Sequence, residues 1–290
     1  HDKLREAVIE YMPQERRVES HRKIAKSLET RFADVPSRAS AIAYHYAAAG
    51  HTAKEAYFSG VGGEHALGSG AHVEGAKLLE RALQVREFDR WSPVRLSVWR
   101  RQLADVYLQI GDHERAMGHL RRLLRPYVRP SALARGTLVL RGVVVQVLNR
   151  VMGSWMPSPS NERRRYLMDL SRGAATYSTI CVYDNDFVGL VGTALLSANL
   201  GDRVKWVNLA SYGVLGSFAS GAGFTKLARR YFSAARASKP APADERDLVM
   251  LNMAQVSFHM GRGELTMSRE RARSGALHAR SLGDRRGVAI

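Results

Sequence analysis

Between its turns this chain reads almost everywhere as helix. In 71–85, Val73, Ala76, Leu79, Ala82 and Leu83 fall three or four residues apart, which gathers them on one helical face. Ala116, Leu120, Leu123 and Leu124 repeat the spacing. Val143–Val145 is β-branched, yet it lies inside the uninterrupted segment Ser131–Met152, where helix fits better than strand. Pro130, Pro157, Pro159, Pro240 and Pro242 stand where helices must stop or start. Helix pairs are predicted at 71–87 with 91–110, 113–125 with 131–152, 161–182 with 187–200, 203–220 with 224–238, and 244–260 with 264–282. Two more charged amphipathic helices, His1–Tyr11 and Gln14–Phe32, precede them, joined at Met12-Pro13.

Breaks between the pairs are regular. An apolar–Gly–Asp step occurs at Ile110-Gly111-Asp112, Leu200-Gly201-Asp202 and Leu282-Gly283-Asp284. With Gly68-Ser69-Gly70-Ala71 and the proline-bearing loops Ser154–Ser160 and Lys239–Ala243, the breaks recur every 41 to 45 residues. Each interval holds two helices and two turns, the signature of stacked helical hairpins. The Gly-Asp steps are expected to end one helix on a left-handed glycine and cap the next with aspartate. Glycines at 60, 62 and 63 and at 213, 216, 221 and 223 are dense for helices, each costing about 1 kcal/mol against alanine. They indicate close helix packing or flexible repeats.

Composition narrows the setting. The 290 residues carry 44 basic and 27 acidic side chains, a net +17 at pH 7. Such a balance suits a nucleic acid or other anionic partner, or an arginine-rich solvated surface. The arginines are dispersed, from Arg121 and Arg122 through Arg163–Arg165 and Arg229 and Arg230 to Arg285 and Arg286, which favours the solvated surface. One cysteine, Cys181, excludes an internal disulfide framework and any multi-cysteine metal site, and a reducing, cytoplasmic location is expected. No apolar run is long enough for a membrane span, and with a charged, helical amino-terminal pattern no signal peptide is expected there.

Catalytic and ligand-binding patterns fail one by one. Gly70-Ala-His-Val-Glu-Gly75-Ala76-Lys77 resembles a phosphate loop, but Ala76 stands where lysine should follow glycine, and no Ser or Thr comes next for magnesium. The histidines form no HExxH arrangement, and His45, His65 and His72 sit in different turns. Asp184-Asn185-Asp186 lacks the glycine and distal glutamate of a calcium loop, so a capped helix-to-helix turn is expected. Cys181, in an apolar stretch, is expected to be packed rather than nucleophilic. No catalytic, cofactor-binding or metal-binding residue is assigned.

What the pattern supports is a surface. In Leu103-Ala104-x-x-Tyr107-x-x-x-Gly111-Asp112-x-x-x-Ala116-x-x-x-Leu120, small residues let two helices approach, tyrosine fills the gap and glycine turns the chain. This is the packing logic of a tetratricopeptide (TPR) hairpin, with weaker copies at Tyr46…Gly50…Ala56 and Ala66…Gly70…Ala76…Ala82. The expected fold is all-α, a TPR-like helical-hairpin solenoid coiled as a right-handed superhelix. A partner would meet its concave face, where Arg101, Asp105 and Gln109 are the candidate contacts.

A family resemblance adds to this reading. His1-Asp2-x-Leu4-Arg5-Glu6-Ala7-x-x-x-Tyr11 with His21-Arg22-x-Ile24-Ala25-x-x-Leu28 is similar to the junction after the ATPase module of bacterial STAND-type signalling ATPases. Ala43-Tyr44-His45-Tyr46-x-x-Ala49-Gly50 and Leu78-Leu79-Glu80-Arg81-Ala82-Leu83 resemble their first repeats. Tyr212-Gly213, Ala228-Arg229-Arg230-Tyr231 and Ala279-Arg280-Ser281-Leu282-Gly283-Asp284 resemble later repeats of the group fused to class III adenylate/guanylate cyclases; kinase and LuxR-type fusions belong to the same class. The resemblance implies junction helices over 1–36 and a repeat array over 37–290, incomplete at its carboxyl end, within a longer protein. It implies a non-enzymatic sensor segment that binds a protein or peptide and the parent's own ATPase module. The competing expectation is a nucleic-acid-associated region of a LuxR/STAND-type transcriptional regulator.

Overall fold

Turn geometry sets the architecture. A glycine just past a helix adopts the left-handed conformation without steric cost and lets two N–H groups close the helix end. The computed structural model describes residues 11–84, 92–129, 131–152, 157–238 and 245–281, and the same closure recurs through them. At Gly50, Gly70, Gly111, Gly223 and Gly263, φ lies between 71° and 84°. The glycine N–H donates to the carbonyl three residues back and the next N–H to the carbonyl five back. In the turn at Gly111, Gly111 donates to Leu108 at 3.2 Å and Asp112 to Tyr107 at 2.9 Å. Asn185 (φ 54°) and Lys205 (φ 55°) close their helices with the same two bonds.

Every element among the described residues is helical, and none is a strand. In chain order they are α1 (Gln14–Phe32), a 3-10 turn (Pro36–Arg38), α2 (Ala39–Ala48), α3 (Thr52–Gly68), α4 (His72–Gln84), α5 (Pro93–Ile110) and α6 (His113–Leu123). There follow α7 (Ala132–Met152), α8 (Asn161–Tyr183), α9 (Phe187–Arg203), α10 (Leu209–Gly221), α11 (Thr225–Ala237), α12 (Glu245–Met260) and α13 (Leu265–Ser281). The chain divides into two compact units, His1–Val106 and Tyr107–Ile290.

In the first unit, α1 packs on α2, α2 on α3 and α3 on α4. Ala25, Ile42, Ala43, Tyr46 and Phe58 form its apolar centre, with the Tyr46 and Phe58 rings stacked 6.0 Å apart. So α1 packs into the same body as the residues that follow it; residues 1–10 lie outside the described residues. The glycines of α3 serve close approach: a Cβ on Gly60 would meet the Trp99 ring at 2.1 Å, and one on Gly63 would meet Leu79 at 2.8 Å. Of the two meanings open for this glycine cluster, close packing is the one found. The Gly70 turn makes a tight hairpin of 52–68 with 72–84, one helix out of phase with the expected pairing of 71–87 with 91–110.

The second unit is centred on α9, which packs against α7, α8 and α10; α10 in turn packs on α11 and α12, and α12 on α13. The hairpins α8–α9, α10–α11 and α12–α13 match the expected pairs. Val191, Leu195, Leu209, Tyr212, Leu215, Tyr231, Phe232, Leu251 and Phe258 build its core. Glycine again allows the approach, since Gly216 lies under Phe232, whose ring a Cβ would meet at 2.7 Å.

The three Gly-Asp steps fare differently. Asp112 caps α6, its Oδ1 accepting from the Arg115 N–H at 3.1 Å, as expected. Leu282-Gly283-Asp284 lies outside the described residues. Gly201-Asp202 is a correction: both residues belong to the last turn of α9, and the left-handed residue is Lys205. Gly201 is needed there for space, because the Trp206 carbonyl folds back to within 2.5 Å of where a Cβ would stand. The capping role passes to Asn208, which accepts from Ser211 N–H at 2.9 Å.

Candidate interaction surface

Residues four apart on a helix share a face, so Arg101, Asp105 and Gln109 line one side of α5. The first two engage each other: Arg101 Nη1 donates to Asp105 Oδ2 at 2.8 Å, leaving the side chains 17% and 31% exposed. Gln109 is exposed. The Arg101 guanidinium is thus largely covered, and the solvent-facing part of this candidate face is Gln109 with the rim of the ion pair. Elsewhere on α5, Trp99, Leu103, Ala104 and Tyr107 are buried. Trp99 Nε1 donates to Glu64 of α3, and the Tyr107 ring stacks on His119 at 5.7 Å. The aromatic and small residues of the hairpin motif therefore fix α5 in place.

The titratable cluster between α1, α2 and α3 is structural. Burial raises the Glu29 carboxyl, but hydrogen bonds from Lys54 and Tyr46, with the Lys54 charge, outweigh it and hold the group below its ordinary range. Lys54 is raised first by its bond to Glu29, and Tyr46 by burial and then by Glu29. Beside it, His21 and His45 share a 2.9 Å contact between their Nδ1 atoms, and burial together with His21 lowers the His45 imidazole. No group of three or more metal-ligating side chains converges among the described residues. Cys181 is buried, in line with a packed rather than reactive thiol. The Asp184-Asn185-Asp186 segment is a capped helix-to-helix turn, with Asp186 Oδ1 accepting from Gly189 N–H at 2.9 Å.

Polar groups gather where α7 meets α9. Asn199 Nδ2 donates to the Gly142 carbonyl at 2.9 Å, Asn149 Nδ2 to the Asn199 carbonyl at 3.3 Å, and Gln146 Nε2 to Asp202. Tyr212 Oη donates to the other Asp202 oxygen at 2.7 Å. A cleft of about 40 Å³ opens beside this seam, lined in part by Asn149, Arg164, Asp202 and Lys205. That volume suits a water or two, far below the several hundred Å³ of a small-molecule site.

Helix assignment from sequence was silent on which side of α7 faces inward. The structure turns Leu138, Gly142, Gln146 and Asn149 into the unit and leaves Leu140, Val143, Val144, Val147, Leu148 and Val151 exposed. The signal that could have found this stripe is the separation along α7 of Gly142, Gln146 and Asn149 from Leu140, Val143, Val144, Val147, Leu148 and Val151, which fall on opposite sides at helical spacing.

Comparison of the chain with protein-family models, curated proteins and solved structures gave no match. Among the described residues no helix is long and apolar enough to cross a membrane.

Proposed function

We propose that this chain is a TPR-like helical-hairpin array, right-handed in its coiling, that serves as the protein-interaction and sensor region of a bacterial signalling ATPase of the cyclase-linked kind. The observation that carries the reading is the recurrence of one turn, with the same pair of hydrogen bonds, at Gly50, Gly70, Gly111, Asn185, Gly223 and Gly263. Each turn is followed within four to six residues by a buried small residue: Ala56, Ala76, Ala116, Gly189, Ala228 and Ser268. Repetition of one supersecondary unit is how repeat proteins build extended surfaces, with stability shared between neighbours. The link to an ATPase rests on the junction and repeat motifs of the sequence.

The mechanism follows from nearest-neighbour packing. A bound protein or peptide biases the angles between adjacent hairpins, and the bias reaches the ATPase module as a shift between resting and active states. The test is nucleotide turnover by the longer protein with and without residues 37–290. Deletion is expected to change basal turnover and abolish its response to a partner; unchanged regulation refutes the proposal.

A further inference from the structure

Helix α7 is inverted in its amphipathicity. The side it turns toward α9 carries Gly142, Gln146 and Asn149, joined to α9 by hydrogen bonds. The opposite side carries Leu140, Val143, Val144, Val147, Leu148 and Val151, exposed by 69%, 48%, 51%, 56%, 45% and 72%. These positions step by three, one, three, one and three, so they form one continuous stripe. Over three turns it runs about 16 Å. The stripe leaves roughly 500 Å² of apolar surface in water, at the upper end of what a monomer tolerates without a partner.

We propose that this outer face of α7 is a docking site for an acidic amphipathic helix of a partner protein. The stripe is a ridge of branched aliphatics, four of them valines held in one rotamer by the helix, so little side-chain freedom is lost when a second helix packs against it. A partner presenting apolar residues at i, i+3, i+4 and i+7 matches its length and spacing. Charge selects the sign: Arg141 is exposed beside the stripe, on a helix whose sequence has no Asp or Glu, within a chain of net charge +17. Glutamates flanking the partner's apolar face would meet that field.

The same charges argue against a second copy. Antiparallel pairing about the stripe's centre would bring position 141 of one copy to position 150 of the other, both arginine. The stripe also falls short of the roughly 800 Å² per partner of a stable dimer. An anionic membrane is disfavoured by the lack of any aromatic residue in the stripe. The inference is independent of the ATPase reading, because it rests on one helix.

The test uses the full chain with Val151→Cys labelled by an environment-sensitive dye; the one natural thiol, Cys181, is buried. Two helical peptides with the same leucine face are titrated, one flanked by glutamate and one by lysine. The expected result is a blue shift with the glutamate peptide and binding at least about tenfold weaker with the lysine peptide, the gap closing at high salt. Arg141→Glu should narrow the gap between the two peptides, and Val144→Asp should remove binding while leaving the circular dichroism unchanged. Equal binding of both peptides, or none, overturns the proposal. So does a dye already blue-shifted without peptide, which would mean that another part of this chain covers the stripe. A shift with phosphatidylserine vesicles alone would assign the face to lipid. Sedimentation showing a dimer that Val144→Asp dissociates would assign it to a second copy.

Discussion

Gly60→Ala tests the idea that α3 is glycine-rich to admit α5. In an exposed helix this change would stabilise by about 1 kcal/mol through helix propensity. Here the new methyl would stand 2.1 Å and 2.4 Å from two atoms of the Trp99 ring, far inside van der Waals contact. Trp99 has nowhere simple to go: it is fully buried, and its indole N–H is held by Glu64. Overpacking of this kind costs about 1–3 kcal/mol. If the ring swings away, the lost buried hydrogen bond adds about 1–3 kcal/mol. With both costs set against the propensity gain, the net expectation is a loss of about 1–5 kcal/mol. Urea unfolding followed by Trp99 fluorescence, with Trp91, Trp155 and Trp206 replaced by Phe, reads the first unit directly. Gly118→Ala in α6, in the second unit and followed by circular dichroism, is the control, since nothing lies within 4 Å of its Cβ position, and a gain of up to about 1 kcal/mol is expected there. In a double-mutant cycle followed by circular dichroism, which needs no tryptophan, Trp99→Leu should relieve Gly60→Ala by at least about 1 kcal/mol. A Gly60→Ala protein as stable as the parent would refute the close-approach argument.

Asp186→Ala removes the cap of α9 and should destabilise the second unit by about 1 kcal/mol, read by thermal unfolding, whereas Asp186→Asn should be nearly neutral. Lys205→Gly relieves a left-handed non-glycine residue and should stabilise by about 0.5–1 kcal/mol in the same assay, after the entropy cost of glycine. In the first unit, His45 is lowered from its ordinary value of 6.5, so the unfolded chain binds its proton first; the associated stability is present above that value and is lost as pH falls through the folded one. Glu29 is lowered as well, so a second loss is expected at more acid pH, below the ordinary glutamate value of 4.5. Hydrogen exchange in α1 and α2 against pH should show both, and Glu29→Gln should abolish only the acid step; an unchanged acid profile in that variant would refute the assignment.

Local pattern carried much of this fold. Tyr107, Gly111, Ala116 and Leu120 were readable as a hairpin because each has a role that its chemistry permits and few others fill: a filler, a left-handed turn and two packed positions. Asp184-Asn185-Asp186 was readable as a cap for the same reason. Gly201-Asp202 misled because the dipeptide alone does not say whether glycine is there for its φ or for its missing Cβ. At 201 it is the missing Cβ, and the turn comes four residues later at Lys205, a residue type that gives no turn signal. Arg101 and Asp105 pair with each other across one helical turn, and that ion pair takes up much of the face they were expected to offer.

The inward side of α7 eluded pattern for a deeper reason. Hydrophobic periodicity assumes that the apolar face is the buried one. In α7 the buried face is chosen by its neighbour. Helix α9 is hemmed in by three helices, and it meets them with small residues, Gly189, Gly192, Ala194, Ser197, Ala198 and Gly201 among its buried positions. Glycines let the two helices interleave: Leu195 of α9 stands 2.8 Å from where a Cβ on Gly142 would be, and Leu138 of α7 stands 3.1 Å from where one on Gly192 would be. At that distance backbone carbonyls of both helices come within reach of the Asn149 and Asn199 side chains, which bond across the seam. Close approach and hydrogen bonding thus select the polar, glycine-bearing side for the interior, and the aliphatic side is left facing out as a consequence. The crowding around α9 and the bare stripe on α7 are one fact seen from two sides.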